Sequence, residues 1–112
     1  MDCLFCKIAQ GVIPSQKVYE DDKALVFHDV DPKAPVHLLV IPKAHIQSAG
    51  EIDEANAGLA AHLMTVVAKV AKDQKLTNGF RVVTNCGRDG GQTVDHLHLH
   101  LLAGRQLTWP PG

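Results

Sequence analysis

The stretch His96-Leu97-His98-Leu99-His100-Leu101-Leu102 alternates histidine with leucine over almost its whole length. A period of two is the side-chain period of a β-strand, so the histidines are predicted to share one face and the leucines the other. The leucine face can enter a core and hold the strand rigid. Because histidine has an ordinary pKa near neutral pH, three imidazoles side by side favour a chemical role over simple packing.

The rest of the chain predicts a sheet around this strand. Short apolar runs bounded by turn residues predict further strands at 17–20, 24–28, 37–42 and 80–85. Apolar residues at helical spacing, among them Leu59, Leu63 and Val70, predict one long helix from about 54 to 74. A short N-terminal helix is expected to start with Asp2 as its cap and to end near Gln10. Strands on both sides of one long helix predict an α+β fold with a mainly antiparallel five-stranded sheet.

Composition narrows the class of protein. The 112 residues suit a single domain, 1–112, and 46% hydrophobic with 21% charged residues is the balance of a folded globular chain. The formal net charge of −1 predicts no broad field for nucleic acid. The most apolar window, around Leu63 to Ala71, is short and contains Lys69, so no membrane partner is expected. Three cysteines and no recognisable signal peptide predict reduced thiols in the cytoplasm.

Two mechanisms can use a row of histidines. In the first, the imidazoles bind a catalytic zinc that activates water. In the second, one imidazole attacks an electrophile while its neighbours supply protons and hydrogen bonds. The residues favour the second, since the acidic residue beside the strand, Asp95, falls on the opposite face by alternation. A glycine-containing loop from Gly87 to Gln92 leads into the histidine strand, and such loops let backbone N–H groups approach an anion.

Several motifs in order resemble one known family. The histidine stretch is similar to the His-x-His-x-His pattern of the histidine-triad (HIT) family, and the resemblance extends over nearly the whole chain. The other matching segments are Phe27-His28-Asp29-Val30, Ala34-Pro35-Val36-His37, Val40-Ile41-Pro42-Lys43, Asp89-Gly90-Gly91-Gln92 and Trp109-Pro110-Pro111-Gly112. They look like the Hint branch, whose members are nucleoside phosphoramidases. The resemblance therefore implies an HIT-like fold and hydrolysis of purine nucleoside 5′-monophosphoramidates to AMP or GMP.

The resemblance also implies roles for the histidines. His98 would be the nucleophile that attacks phosphorus and forms a nucleotidyl-histidine, and the backbone carbonyl of His96 would hold the proton on its other ring nitrogen. His100 and His37 would bind phosphate oxygens and assist proton movement. Further phosphate contacts are expected from the loop before the strand, at Asn85, Gly91, Gln92 and Thr93.

The nucleoside would lie in an adjacent pocket, according to the same resemblance. Asp29 would hold the ribose hydroxyls, with His28 and Val30 beside it. An apolar slot for the base is expected from Leu4, Phe5, Ile8, Ile13 and Phe27. Trp109, the chain's one tryptophan, is expected to pack over a ligand or at a subunit boundary.

A metal site is an open alternative at the start of the chain. Cys3-Leu4-Phe5-Cys6 supplies two thiols, and in some relatives the residues that match His45 and His96 complete a structural zinc site. The other reading is two thiols at the start of a helix without a metal. In either case catalysis is expected to require no cofactor.

Other functions stay open at this point. A dinucleoside polyphosphate hydrolase, a nucleotide-binding regulatory or scaffold protein, and a zinc hydrolase all use parts of the same pattern. The resemblance further implies a homodimer formed by the long helix and the strand after it. The physiological substrate and its leaving amine are not determined by the sequence.

Overall fold

The computed structural model describes residues 3–112. They form one five-stranded sheet with helices on both faces. Along the chain these elements are α1 (Leu4–Ala9), β1 (Lys17–Glu20), β2 (Ala24–His28), β3 (Val36–Pro42), a 3-10 turn (Ala49–Glu51), α2 (Ala57–Asp73), β4 (Arg81–Val83) and β5 (Leu99–Ala103). The strand order is β1-β2-β3-β5-β4, and each neighbouring pair is antiparallel. The predicted α+β fold is confirmed.

The long helix α2 covers one face of the sheet. Its buried side chains Leu63, Val66 and Val70 pack against the leucines of the central strands, such as Leu38 and Leu101. The helix starts at Ala57, later than predicted, because the carboxylate of Asp53 accepts hydrogen bonds from the N–H groups of two following residues and closes a turn instead. Neither described helix has the length and apolar composition of a membrane span.

The short helix α1 lies on the other face, where the histidines are. Its residues Phe5 and Ile8 pack with Phe27 and Leu39 of the sheet. The described N-cap is Cys3, whose Sγ accepts a hydrogen bond from the N–H of Cys6 at 3.3 Å. The predicted cap Asp2 lies outside the described residues.

The histidine stretch differs in part from its prediction. The strand β5 begins at Leu99, so His96, Leu97 and His98 precede it. The ladder with β3 runs only from Val36 to Val40, and beyond it the N–H of Leu97 donates to the carbonyl of Ile46 at 2.6 Å. The side-chain alternation nevertheless continues, because Leu97 enters the core under α2 while the rings of His96 and His98 contact Phe5 on the other face.

Candidate functional site

The histidines of the predicted site converge on one face of the central strands. His100 lies on β5 directly opposite Leu39 of β3, and His37 lies at the start of β3 opposite Leu102. The ring centroids are 5.0 Å apart for His98 and His100 and 5.2 Å apart for His37 and His100. The structure therefore brings three predicted catalytic histidines into one continuous group.

One backbone carbonyl fixes the protonation of His98. Its Nδ1 lies 2.7 Å from the carbonyl oxygen of His96, and a carbonyl can only accept, so Nδ1 carries the proton. In the neutral ring the lone pair is then on Nε2. Phe5 packs edge-on against this ring at 5.2 Å, and Thr84, which sequence analysis missed, donates its hydroxyl to the carbonyl of His98 at 2.9 Å. The carbonyl of His96 and the ring of Phe5 thus orient the side chain, while Thr84 holds the backbone.

A second backbone group determines which ring nitrogen carries the proton in His37 and, through His37, in His100. The N–H of Lys33 donates to Nδ1 of His37 at 3.0 Å, so the neutral His37 ring carries its proton on Nε2. That nitrogen lies 2.9 Å from Nδ1 of His100 and 3.4 Å from a carboxylate oxygen of Asp29. Because Nδ1 of His100 accepts from His37, the remaining proton of His100 is on its Nε2. The site thus offers a nucleophilic nitrogen on His98 and an N–H donor on His100.

Burial favours the neutral form of His37 and of His100. It lowers the pKa of His37, against the opposing attraction of the Asp29 carboxylate, and it lowers the pKa of His100, where the neighbouring histidines act in the same direction. Charge on a buried ring is costly because water is excluded from it. Near pH 7 the pair therefore acts as a neutral hydrogen-bonding relay.

The glycine-containing loop is held by its own amide side chains. Asn85 donates to the carbonyl of Gly90 at 2.7 Å, and Gln92 accepts from the N–H of Gly87 at 2.9 Å while donating to two carbonyls, Gln47 and Val94. A Cβ atom at Gly90 would lie only 2.4 Å from the carbonyl oxygen of Cys86, so no larger residue fits there without a shift of the backbone. The two amides predicted to contact phosphate are thus engaged in shaping the loop, whereas Thr93 and Gly91 are exposed at its surface.

A cavity of about 490 Å³ lies on the β2 side, and its wall includes Asp29, whose carboxylate lies 3.4 Å from Nε2 of His37. Five of its lining residues are predicted for the nucleoside: Ile8, Phe27, His28, Asp29 and Val30. Three more follow α1 in an irregular segment, where the sequence carries no signal for them: Pro14, Ser15 and Gln16. Three other predicted members do not line it. Leu4 is exposed, whereas Phe5 and Ile13 pack into the cluster beneath.

The terminal tryptophan does not pack over the histidines within this chain. Trp109 is 84% exposed, while its neighbours Thr108 and Pro110 line a second cavity beside His100. The predicted contact of Trp109 with a ligand or another subunit stays a prediction.

Cys3, Cys6, His45 and His96 form a second cluster, and His96 lies two residues before His98. Nδ1 of His96 lies 3.3 Å from Sγ of Cys3, 3.5 Å from Sγ of Cys6 and 3.2 Å from Nδ1 of His45. Zinc bound at ordinary lengths would separate two nitrogens by about 3.3 Å and nitrogen from sulfur by about 3.5 Å. Four residues from three separate segments therefore have the spacing of a tetrahedral site.

Hydrogen bonding around His96 supports the same fit. Its Nε2 lies 2.8 Å from the carbonyl of Pro42, so Nε2 carries the proton and Nδ1 is left with one lone pair. Three polar atoms surround that single lone pair, which suits one metal ion better than three hydrogen bonds. The donor set fits zinc, and the His98 ring is not part of it.

We predict that the chain, purified without chelator, contains about one zinc ion per molecule, since two thiolates and two imidazoles complete a structural site. Cys6→Ala removes one ligand and is expected to lower the zinc content severalfold in elemental analysis. Cys86→Ala is the matched control, because Cys86 lies outside the cluster. Equal zinc content in both variants, or none in the wild type, would contradict the assignment.

A pH dependence of stability follows from the buried relay. The folded state binds protons on His37 and His100 less readily than the unfolded chain, since their pKa values are lowered. The free energy of unfolding should thus be highest above the ordinary histidine pKa and fall as the pH drops below about 6.5, by at most about 1.4 kcal/mol per pH unit for each ring. His100→Asn should give a shallower profile in denaturant titrations at pH 7 to 5. Parallel profiles for the variant and the wild type would refute this.

Comparisons with known proteins identify the family and agree with the fold. The model of the HIT domain family matches residues 10–107. The chain is 51% identical to an uncharacterised HIT-like protein of Synechococcus elongatus, over 99% of this chain and 97% of that protein. It is 49% identical to a HIT family hydrolase from Legionella pneumophila, with a TM-score of 0.96 over 99% of this chain and all of that one (100%). A histidine triad protein from Clostridium difficile is 52% identical, with a TM-score of 0.94, and 96% and 95% of the two chains are covered.

Proposed function

The chain belongs to the HIT domain family, and we propose that it hydrolyses purine nucleoside 5′-monophosphoramidates through a nucleotide held covalently on His98. The observation that carries this proposal is the hydrogen bond from Nδ1 of His98 to the carbonyl of His96, which leaves Nε2 with its lone pair beside His100. The similar Legionella protein is named a hydrolase, in agreement with a hydrolytic reaction.

The nucleoside is assigned to the cavity on the β2 side. Its apolar wall, which includes Ile8 and Phe27, suits the flat face of a purine, since burying apolar surface is favourable without specific partners. The half-buried carboxylate of Asp29 suits the two ribose hydroxyls as a hydrogen-bond acceptor. The 5′-phosphorus would then lie near the rings of His37, His98 and His100.

In the first step Nε2 of His98 forms a bond to phosphorus, and the bond from phosphorus to the amine nitrogen breaks. The nitrogen leaves with the bonding electron pair and takes a proton from solvent, while the Nε2–H of His100 donates a hydrogen bond to a phosphate oxygen. The imidazole of His98, now positively charged, keeps its Nδ1–H on the carbonyl of His96. That carbonyl stabilises the charge as it develops.

In the second step water attacks the same phosphorus. The phosphorus–His98 bond breaks, and the electron pair returns to Nε2, so that the neutral ring is restored. The water releases one proton to solvent as its oxygen bonds to phosphorus, which balances the proton taken up by the amine in the first step. The products are a nucleoside monophosphate, AMP or GMP, and a free amine.

Donors around the phosphate lower the barrier of both steps. Stabilisation of the developing negative charge is assigned to the N–H groups near Gly91, the hydroxyl of Thr93 and the His100–His37 relay, and each such donor would contribute roughly 3–4 kcal/mol in a dry site. Asn85 and Gln92 support them by fixing the loop backbone. No metal is assigned to the reaction; bound zinc would crosslink α1 to the segment behind the nucleophile.

We also propose a homodimer. β4 is an edge strand of the sheet, and the exposed side chains of Met64 and Phe80 lie on α2 and directly before β4. A second copy can pair with this edge through backbone hydrogen bonds, and the side chains on both faces of the sheet are then still available for further contacts. Trp109 is proposed to approach the partner's site. The three cysteines are unpaired in the described chain, which suits the reducing cytoplasm as the proposed location.

A panel of substrates tests the function. Adenosine and guanosine 5′-monophosphoramidates are expected to be hydrolysed faster than dinucleoside polyphosphates, with or without a chelator in the assay. Loss of turnover with a mild chelator while the fold persists would favour a zinc hydrolase. Preference for dinucleoside polyphosphates, or nucleotide binding without any turnover, would reject the phosphoramidase assignment.

His98→Ala is expected to lower kcat by at least about 10³-fold, because the covalent route loses its nucleophile. Nucleotide affinity, measured by calorimetry with AMP, should change little since the cavity walls are unaltered. His62→Asn is a matched control: His62 lies on α2 and pairs with Asp21, away from the site. Comparable turnover by His98→Ala would refute the assigned role.

A further inference from the structure

A cluster of two cysteines and two histidines joins three segments of the chain next to the candidate site. Its members are the residues that fit a zinc ion: Cys3, Cys6, His45 and His96. The cysteines belong to the beginning of α1, and the histidines belong to the segment after β3 and to the segment before β5. The cluster therefore lies where α1 meets the stretch that carries the nucleophile.

The short helix α1 supplies two side chains to the site. Phe5, which lies between the two cysteines in the sequence, packs edge-on against the rings of His96 and His98, at centroid distances of 6.0 and 5.2 Å. Ile8, three residues further along, lines the cavity on the β2 side. Because α1 has only six residues, its position depends on the tertiary contacts that anchor it more than on its own hydrogen bonds.

The two sulfur atoms of the cluster are neighbours. The N–H of Cys6 donates to Sγ of Cys3 at 3.3 Å, and the two sulfurs lie 3.3 and 3.5 Å from Nδ1 of His96. Every pair of ligand atoms in the cluster lies within 4.8 Å. Two cysteines at this spacing form reversible disulfides in other proteins. The same sulfurs therefore have two exclusive uses, because a disulfide leaves no thiolate to bind a metal ion.

The cluster is open to solvent on one side. Cys3 is buried, whereas Cys6 is half-buried and His45 is exposed. A small oxidant therefore reaches the sulfur of Cys6 first, and the sulfur of Cys3 is the adjacent thiol that reacts next. The third cysteine, Cys86, lies outside the cluster and donates its thiol to the hydroxyl of Ser48 at 3.3 Å.

We propose that Cys3 and Cys6 form a redox switch. Oxidation by a peroxide converts the zinc-bound thiolates into a disulfide, releases the zinc ion and loosens α1 from the site. The inference rests on zinc binding at the cluster. It concerns regulation of the site, so it goes beyond the proposed hydrolysis and does not depend on which substrate is hydrolysed.

The oxidation balances with hydrogen peroxide as the oxidant. The thiolate of Cys6 attacks one oxygen, the O–O bond breaks, and a sulfenic acid forms as hydroxide leaves. The sulfur of Cys3 then attacks the sulfur of Cys6, the S–S bond forms, and a second hydroxide leaves. Two electrons have passed from the sulfurs to the peroxide, and two protons from solvent convert the hydroxides into water. A dithiol reductant reverses the disulfide, after which zinc rebinds.

The zinc site and the disulfide differ in what they connect. Zinc at the cluster links α1 to the segments of His45 and His96, and binding of this kind stabilises the fold. A disulfide between Cys3 and Cys6 links two residues of α1 and its cap, so it does not hold the helix to the rest of the site. Nucleotide binding must then order α1, which lowers the affinity.

The test treats the zinc-loaded chain with hydrogen peroxide in the presence of a chromophoric zinc chelator. One zinc ion is expected to be released for every two thiols lost, so that the three thiols of the chain fall to one. Peptide mapping should locate the disulfide between Cys3 and Cys6. The affinity for AMP, measured by calorimetry, should fall severalfold after oxidation and return after treatment with dithiothreitol and zinc.

Cys86→Ala is the matched control for oxidation outside the cluster. It should release the same amount of zinc with the same loss of AMP affinity, while its remaining two thiols are both consumed. The recovery with dithiothreitol separates the disulfide from oxidation of methionine, which this reductant does not reverse.

Three results would overturn the proposal. They are retention of zinc at peroxide concentrations that oxidise Cys86, oxidation of Cys6 to a sulfinic acid without a disulfide, and zinc release with unchanged AMP affinity. A wild-type chain without zinc would refute the metal assignment and this inference together. Absence of phosphoramidate hydrolysis would refute the proposed function alone, since neither zinc release nor AMP affinity involves turnover.

Discussion

The hydrogen bond from Nδ1 of His98 to the backbone carbonyl of His96 is the constraint on which the site depends. A histidine near neutral pH has two tautomers, and only one of them presents a lone pair at Nε2. The carbonyl selects that tautomer at 2.7 Å. It comes from the residue two positions before the ring, so the constraint is local in sequence.

The surrounding structure fixes the carbonyl in turn. The ring of His96 is completely buried, at 0% exposure, and its Nε2 donates to the carbonyl of Pro42, while Leu97 anchors the next position in the core under α2. The same ring belongs to the cluster with Cys3, Cys6 and His45. Packing, a backbone hydrogen bond and the cluster thus converge on His96, whose carbonyl orients the ring of His98.

The sequence predicts the faces of this segment better than its boundaries. The alternation of histidine and leucine predicts two faces correctly because side-chain direction depends on an extended backbone, which persists before Leu99. Where a ladder ends depends on the partner strand, and the register with β3 stops at Val40. That information lies more than fifty residues away in the sequence and is not visible in a local pattern.

The type of a polar residue also does not determine which group its side chain binds in the fold. Asn85 and Gln92 have the chemistry to bind phosphate, yet in the fold they tie the loop to itself. The backbone N–H of Lys33 orients His37, and no feature of the lysine side chain indicates that. Such contacts arise from the tertiary arrangement, whereas the histidine row and the Cys-x-x-Cys pair are recognisable because their spacing is local.

The most direct test of the account is to trap the covalent intermediate. The chain is mixed with adenosine 5′-monophosphoramidate, quenched within one turnover in alkali, digested and analysed by mass spectrometry. One nucleotidyl group is expected, located on Nε2 of His98. A nucleotidyl group on His100, or turnover without any adduct under conditions where a nucleotidyl-histidine standard survives, would contradict it.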